Sequence, residues 1–257
     1  MGLILTDAEI IIKELIKAKP KTHKLLFLGD VKILFSQQEF LNLTNKLGFS
    51  AKHKALEMNE EFSAHSFGNS LGFSVVNTLD INGKADYKID ITKKIPQHFI
   101  GKYDFIIDCG VLFYCFNPGM ALCNLARITS KNGRVIHITA ITGHYGRGLY
   151  CIHPFTLINF YKKNNFEHVS SYYRKKTDLH LIGFCCQYIK AGLIKFISYF
   201  LPNKFFFFTK NHKLLIDFEL NFIEGSSNFI PNNVVGILIF KKSNKAPKKI
   251  NNLFLLT

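Results

Sequence analysis

The feature that most constrains this chain is a succession of short apolar runs, each ending in a glycine or an acidic residue, with helix-like segments between them. Three of these runs end at Gly29-Asp30, at Asp80 and at Asp108-Cys109-Gly110. Apolar runs that alternate with amphipathic segments are typical of parallel strands whose two faces are covered by helices. The sequence therefore predicts an α/β protein built around a parallel sheet.

The pattern predicts seven strands and four helices. The strands lie at 24–28, 74–79, 87–90, 103–108, 135–140, 166–172 and 234–240. The helices lie at 36–47, 117–128 and 154–163, after an N-terminal helix that begins with the capping box Thr6-Asp-Ala-Glu9. The predicted architecture is a Rossmann-like three-layer sandwich with a mostly parallel sheet and an antiparallel last strand. Its ligand crevice should lie outside the carboxyl ends of the strands.

The chain is predicted to be a single domain over 1–257, with a core at about 22–174 and 233–241 and an aromatic-rich insertion at 175–232. Within the insertion, 181–201 is long and apolar but contains Lys190 and Lys195, and it is followed by four phenylalanines. A transmembrane helix carries few or no charges. Two interpretations stay open for 181–208: an aromatic lid over the crevice, or a helix lying on a membrane surface.

The composition says more about the cellular compartment of the protein than about what it binds. A net charge of +15 suits an anionic partner, but abundant Lys, Asn, Ile and Phe would also follow from an AT-rich genome. The six cysteines show no metal-ligand spacing, so no metal is predicted, and reduced thiols indicate a cytoplasmic protein. The first 19 residues lack the basic segment and cleavage site of a secretory signal.

From the strand order and the acids at 80, 90 and 108, the chain resembles the class I S-adenosylmethionine-dependent methyltransferases. More narrowly, it resembles a bacterial branch found among sugar and surface-glycan genes, whose members read like LGRQ, IDGGTLEH and HGFYQFSP after strands one, four and five. The matching stretches are Leu28–Val31, Ile107–Tyr114 and Arg147–Pro154. The similarity covers roughly residues 22 to 172.

The resemblance implies that S-adenosylmethionine is the cofactor and suggests a role for each acid. It implies that Asp80 accepts hydrogen bonds from the ribose hydroxyls and that Asp90 meets the adenine amino group. The loop at Gly29-Asp30 would approach the methionine tail, where a glycine leaves the backbone uncovered. Asp108, with the peptide groups of Cys109 and Gly110, would line the floor next to the methyl group.

The chain also departs from the pattern of this family. Of the usual GxGxG loop only Gly29 is present, and the stretch 49–73, which has no clear periodicity, looks like an insertion between Gly29 and Asp80. The Glu-His pair of the branch motif is replaced by Phe113-Tyr114, and the His of HGF by Arg147. These replacements favour a second interpretation, in which the fold is kept without catalysis.

Two residues after the fifth strand are candidates for the chemistry. His144, in a glycine-rich loop, is predicted to act as a base, and Arg147 to bind a phosphate or carboxylate of the acceptor. The alternatives are a solvated loop histidine and an ordinary surface charge. His137 lies inside an apolar strand and is predicted to be a hydrogen-bonded core residue.

The predicted function is methyl transfer to a hydroxyl or amine of a small molecule or glycan. The alternative is an inactive relative that serves as a binding or scaffold subunit, at a membrane surface if 181–208 contacts lipid. A nucleic-acid methyltransferase is not favoured, because it rests on charge alone and the Asn/Asp-Pro-Pro-Tyr/Phe signature is absent. The sequence predicts no oligomeric state.

Overall fold

The computed structural model describes residues 2–18, 24–51, 62–81, 84–144, 147–175 and 234–244. Their elements, in chain order, are β1 (Gly2–Leu3), α1 (Leu5–Ala18), β2 (Lys24–Leu28), β3 (Lys32–Ile33), α2 (Gln37–Lys46), α3 (Ala64–Ser70), β4 (Val75–Asp80), β5 (Tyr87–Lys88), β6 (Tyr103–Asp108), α4 (Pro118–Ile128), β7 (Thr129–Ala140), α5 (Pro154–Lys163), β8 (Phe166–Lys175) and β9 (Val234–Lys242). Short 3₁₀ turns precede β6 and α4, at Gln97–Phe99 and Leu112–Tyr114.

Seven of these strands form one sheet in the order β5-β4-β2-β6-β7-β9-β8, and β1 pairs with β3 beside it. Neighbours in the large sheet are parallel except at β9, which runs antiparallel to both β7 and β8. The predicted mostly parallel sheet with an antiparallel last strand is confirmed. The order reverses at β2, which has β4 on one side and β6 on the other, so the switch point lies there.

Two apolar layers cover the sheet, because successive strand residues point to opposite faces. On one face, Leu26 and Ile106 pack with helices α4 and α5. On the other face, Leu25 and Phe105 pack with α1, α2 and α3. Helices on both sides of a central sheet make the predicted three-layer sandwich.

Caps and ion pairs fix the helices in place. Ser36 and Glu39 form a reciprocal capping box at the start of α2, as the Ser-x-x-Glu pattern indicates. Helix α1 is tied to the sheet by buried ion pairs, in which Arg174 Nε lies 2.9 Å from Asp7 Oδ1 and Arg134 Nε lies 2.5 Å from Glu14 Oε1. The start and end of α1 are thus attached to β8 and β7.

A lysine on β9 caps the carboxyl end of α4 and gives stability a pH dependence. Lys242 Nζ donates to the Ala126 and Thr129 carbonyl oxygens at 2.7 Å, and burial lowers the Lys242 pKa from 10.5 to about 8. Between those values the unfolded chain binds more protons, so stability should rise with pH across the window from about 8 to 10.5. Urea unfolding midpoints of the wild type and of Lys242→Met, measured at several pH values from about 8 to 10.5, would test this. The rise of the midpoint with pH should be smaller in the variant by the contribution of Lys242. An equal rise in both proteins would contradict it.

The predicted lid or membrane segment at 181–208 lies outside the described residues. Within the described ranges, no helix has both the length and the apolar character needed to cross a bilayer.

Candidate active site

The carboxyl ends of β2 and β4 bring Gly29, Asp30 and Asp80 together at the switch point. Gly29 has φ +88° and donates its N–H to the Leu79 carbonyl at 2.8 Å. The Asp30 N–H donates to Asp80 Oδ2 at 2.9 Å. The acid of β4 therefore adjoins the loop after β2, although 50 residues separate them in sequence. Their contact with a ligand stays a prediction.

Val111 occupies the space beside Gly29 that a side chain would take. A Cβ added at Gly29 would lie 2.8 Å from Val111 Cγ2 and 3.7 Å from Asp80 Oδ2. Val111 therefore fills the position that a Gly29 side chain would take. The predicted approach of a ligand to the Gly29 backbone stays a prediction. Gly29 is required here because its positive φ and the close Val111 both disfavour a side chain.

The Asp108 side chain does not line the crevice floor, contrary to the prediction. It is fully buried, and its Oδ1 accepts the N–H groups of Gly110 and Val111 at 2.9 and 2.7 Å. Its Oδ2 lies 2.8 Å from His137 Nδ1. A carboxylate whose oxygens both bind neighbouring protein groups stabilises the turn after β6, and here it is closed to solvent.

The two residues after Asp108 are buried as well. Cys109 packs among the apolar residues on the α1 face of the sheet, and burial, followed by the neighbouring Asp108, raises the pKa of its thiol well above the usual value. Gly110 is buried and adopts φ +86°, which lets the chain reverse at the corner. A contact between the peptide groups of Cys109 and Gly110 and the methyl group stays a prediction, and half-buried Val111 is the corner residue nearest Gly29.

His137 is a hydrogen-bonded core residue, as predicted, but its network is larger than the sequence indicated. Its Nε2 lies 2.8 Å from the Tyr161 hydroxyl, and His137, Tyr161 and Asp108 are all fully buried. Burial, followed by the nearby Asp108, raises the pKa of Tyr161 well above its usual value, so the hydroxyl keeps its proton. We assign Tyr161 as donor to Nε2 and Nδ1–H as donor to Asp108.

Asp90 has the contacts of a turn residue. Its Oδ1 accepts the Thr92 hydroxyl at 2.6 Å and the Thr92 N–H at 2.9 Å, and these bonds lower the Asp90 pKa. Asn124 of α4 anchors the same turn by donating to the Ile91 and Lys93 carbonyls. The geometry fits the ordinary reading of an acid at a strand end. An adenine contact stays a prediction.

The loop after β7 carries both predicted catalytic residues. His144 is half-buried, has φ +58° and bonds the Thr142 carbonyl through Nδ1 at 3.0 Å. A carbonyl only accepts, so Nδ1 carries the proton and the neutral ring has its lone pair on Nε2. Arg147 is exposed, and its N–H donates to the His144 carbonyl at 3.0 Å. Their catalytic roles stay predictions.

The same loop packs against Phe113. Gly148 has φ +74°, and a Cβ there would collide with the Phe113 ring. The N–H groups of Leu149 and Tyr150 donate to the Phe113 carbonyl at 2.8 and 3.2 Å. Phe113 therefore has a packing role in joining the two loops, while the side chain of Tyr114 is half-exposed.

Exposed apolar side chains line the outside of these two loops, a feature that the sequence analysis missed. They are Tyr114, Phe116, Leu149 and Tyr150. The Tyr150 hydroxyl donates to the Phe116 carbonyl at 3.1 Å, which links the two loops once more. Across the described ranges, no three His, Cys, Asp or Glu side chains lie close enough together to bind a metal ion.

No family model and no curated protein matches the chain. Among solved structures, it is similar to the N-methyltransferase NodS from Bradyrhizobium japonicum in complex with S-adenosyl-L-homocysteine, with 8% identity over 92% of this chain and 86% of that chain and a TM-score of 0.45. A SAM-dependent methyltransferase from Archaeoglobus fulgidus shows 12% identity over 91% and 93%, with a TM-score of 0.41. The [4+2]-cyclase SpnF shows 10% identity over 93% and 82%, with a TM-score of 0.40. Because these TM-scores are below 0.5, the assignment of a ligand rests on the residues described above.

Proposed function

We propose that the chain binds S-adenosylmethionine in the crevice at the ends of β2, β4 and β6, and catalyses methyl transfer to a hydroxyl or amine of a small molecule or glycan. The observation that carries this proposal is the position of Asp80, whose carboxylate adjoins the Gly29-Asp30 backbone at the switch point of the sheet. Ligands of open α/β sheets bind at such a point.

The residues at this point fit the nucleoside end of the cofactor better than its methyl end. A carboxylate can accept hydrogen bonds from both ribose hydroxyls, and Asp80 lies at the strand end where the resemblance expects such an acid. At the other end, Asp108 and Cys109 are withdrawn into the core, so Val111 and the loop after β7 would line that part of the crevice. The bound cofactor would supply an activated methyl group on a sulfonium.

The chain's own contribution to transfer would be positioning and proton removal. In the tautomer assigned above, His144 Nε2 can accept the proton of an attacking hydroxyl or amine. Arg147, exposed on the same loop, would bind a phosphate or carboxylate of the acceptor as a bidentate donor. An anionic acceptor with a reactive hydroxyl or amine is the class that these two residues suit.

A second candidate function is a catalytically inactive binding or scaffold subunit with the same fold. Three observations favour it: the Asp108 carboxylate is enclosed by its own turn, Cys109 is buried, and Val111 packs against Gly29. Binding of the cofactor without transfer of a labelled methyl group to any sugar, amine or phenol acceptor would support this candidate over the enzyme.

Asp80→Asn tests the cofactor site directly. The amide can still accept the Asp30 N–H but loses charge-assisted bonds to a ribose, so affinity for S-adenosylhomocysteine should fall about tenfold or more. Isothermal titration calorimetry would measure it. Asp86→Asn is the control and should leave the affinity unchanged. Asp86 directly precedes the neighbouring strand β5, and its carboxylate bonds Thr78 and His65.

The two failures of that experiment have different meanings. Absence of both binding heat and thermal shift for the wild-type chain would overturn the proposed function. Unchanged affinity in Asp80→Asn would show that the ribose contact is misplaced.

A further inference from the structure

A buried polar relay runs from α5 through β7 to the corner after β6. The Tyr161 hydroxyl lies 2.8 Å from His137 Nε2, and His137 Nδ1 lies 2.8 Å from Asp108 Oδ2. The other oxygen, Asp108 Oδ1, accepts the N–H groups of Gly110 and Val111. Each ring nitrogen thus has one partner, and the carboxylate is held from both sides.

The relay continues to the crevice through a packing contact. The turn that Asp108 holds includes Val111, whose Cγ2 lies 2.8 Å from the position of a Cβ at Gly29. Gly29 precedes Asp30, whose N–H donates to the Asp80 carboxylate. A change in the rotamer of Asp108 would therefore move the turn, and the turn would move the loop that adjoins Asp80.

We propose that His137 is a positioning residue that fixes the Asp108 carboxylate and so sets the spacing between the turn at Gly110–Leu112 and the loop at Gly29-Asp30. This inference rests on the proposed function, because that spacing defines the crevice in which the cofactor would bind. Tyr161 contributes by donating to Nε2, which places the single ring proton on Nδ1, toward Asp108. His137 touches no ligand in this scheme.

Packing alone does not explain why a histidine stands at position 137. It contacts the rings of Tyr161 and Phe240, and an apolar residue would fill that volume without a polar atom to satisfy. Both nitrogens are instead used, and the carboxylate they orient organises backbone donors of the adjacent loop. His137 thus orients a carboxylate that in turn orients the backbone N–H groups of the turn beside the crevice.

Two substitutions at His137 separate its two bonds. In His137→Asn the side-chain amide reaches the position of Nδ1 and keeps the donor to Asp108, whereas in His137→Gln it reaches the position of Nε2 and keeps only the Tyr161 contact. Affinity for S-adenosylhomocysteine, measured by calorimetry well below the melting temperature, should stay near wild type in His137→Asn. It should fall about tenfold in His137→Gln.

A second readout needs no ligand. Amide hydrogen exchange at Gly110, Val111 and Leu112 should accelerate in His137→Gln and stay slow in His137→Asn. Thr129→Val is the matched control, because Thr129 is also buried on β7 and its hydroxyl donates to the Leu125 carbonyl at 2.7 Å, at the far end of the strand. It should lower stability without changing affinity or exchange at the turn.

The outcomes separate this inference from the proposed function. If the wild-type chain binds no S-adenosylhomocysteine, the proposed function fails, while the exchange comparison still tests the relay. Equal hydrogen exchange at the turn in both His137 variants would overturn the positioning role. It would also be overturned if the affinities of the His137 and Thr129 variants fell in proportion to their melting temperatures. If the His137 variants do not fold, Val111→Ala at the half-buried end of the relay should weaken binding several-fold, and unchanged affinity there would overturn the inference.

Discussion

Asp7→Ala should lower the free energy of unfolding by about 3–5 kcal/mol, because it leaves the guanidinium of Arg174 buried without its partner. The pair is bidentate: Arg174 Nε donates to Asp7 Oδ1 at 2.9 Å and Nη2 donates to Oδ2 at 3.1 Å. Asp7 is fully buried in the first turn of α1, and Arg174 is nearly so, near the end of β8. The loss should appear as a lower urea midpoint at neutral pH.

Two controls show whether the cost comes from an uncompensated charge. The double variant Asp7→Leu/Arg174→Met replaces both partners with apolar groups and should recover most of the lost stability. On the same helix, Glu9→Ala removes a partly exposed pair with Lys13 and should change stability by less than about 1 kcal/mol. An equal loss in the Asp7 single and double variants would contradict the argument.

The sheet could be predicted because its signal is local. Each apolar run between turn residues became a strand, and most ends match closely, as with 103–108 and β6. The exception is β7, which begins at Thr129, six residues before its predicted start at Val135. Caps located two helices in the same way, with Ser36 before α2 and Asn117 before α4. The predicted cap Thr6 was wrong, because α1 begins at Leu5 and already includes that residue. The meeting of Asp80 with Gly29 followed from parallel strands placing their carboxyl ends at one edge.

The direction of the side chains at that edge could not be predicted. Sequence shows that Asp108 ends a strand, but its rotamer depends on His137, 29 residues later, and on backbone donors of its own turn. Helix α3 was missed because Ala64–Ser70 is short and contains a glycine and two serines, which weaken any periodic pattern. The ion pair of Asp7 with Arg174 joins residues 167 apart. No short stretch of sequence contains both partners, so a local pattern cannot predict this pair.

Asp108→Leu should destabilise the chain by about 4 kcal/mol, because a side chain of similar size would leave the N–H donors of Gly110, Val111 and His137 without an acceptor. Asp108→Asn should cost only about 1–2 kcal/mol. Its amide oxygen can still accept from the turn, and its Nδ2 can donate to His137 Nδ1 if the ring takes the other tautomer and donates from Nε2 to the Tyr161 oxygen. Only the Tyr161 hydroxyl hydrogen would then lack a partner.

Guanidinium unfolding of the two variants would measure this difference. Equal losses in Asp108→Leu and Asp108→Asn would show that side-chain volume, and not hydrogen bonding, decides stability at the corner. Losses below about 1 kcal/mol in both would show that the turn holds its shape without the acid. The expected order, with leucine far worse than asparagine, follows from the two sets of donors that Asp108 serves: backbone N–H groups on one oxygen and an imidazole on the other. Because both of its oxygens bind groups of the protein itself, Asp108 stabilises the fold at a position where the sequence predicted a ligand contact.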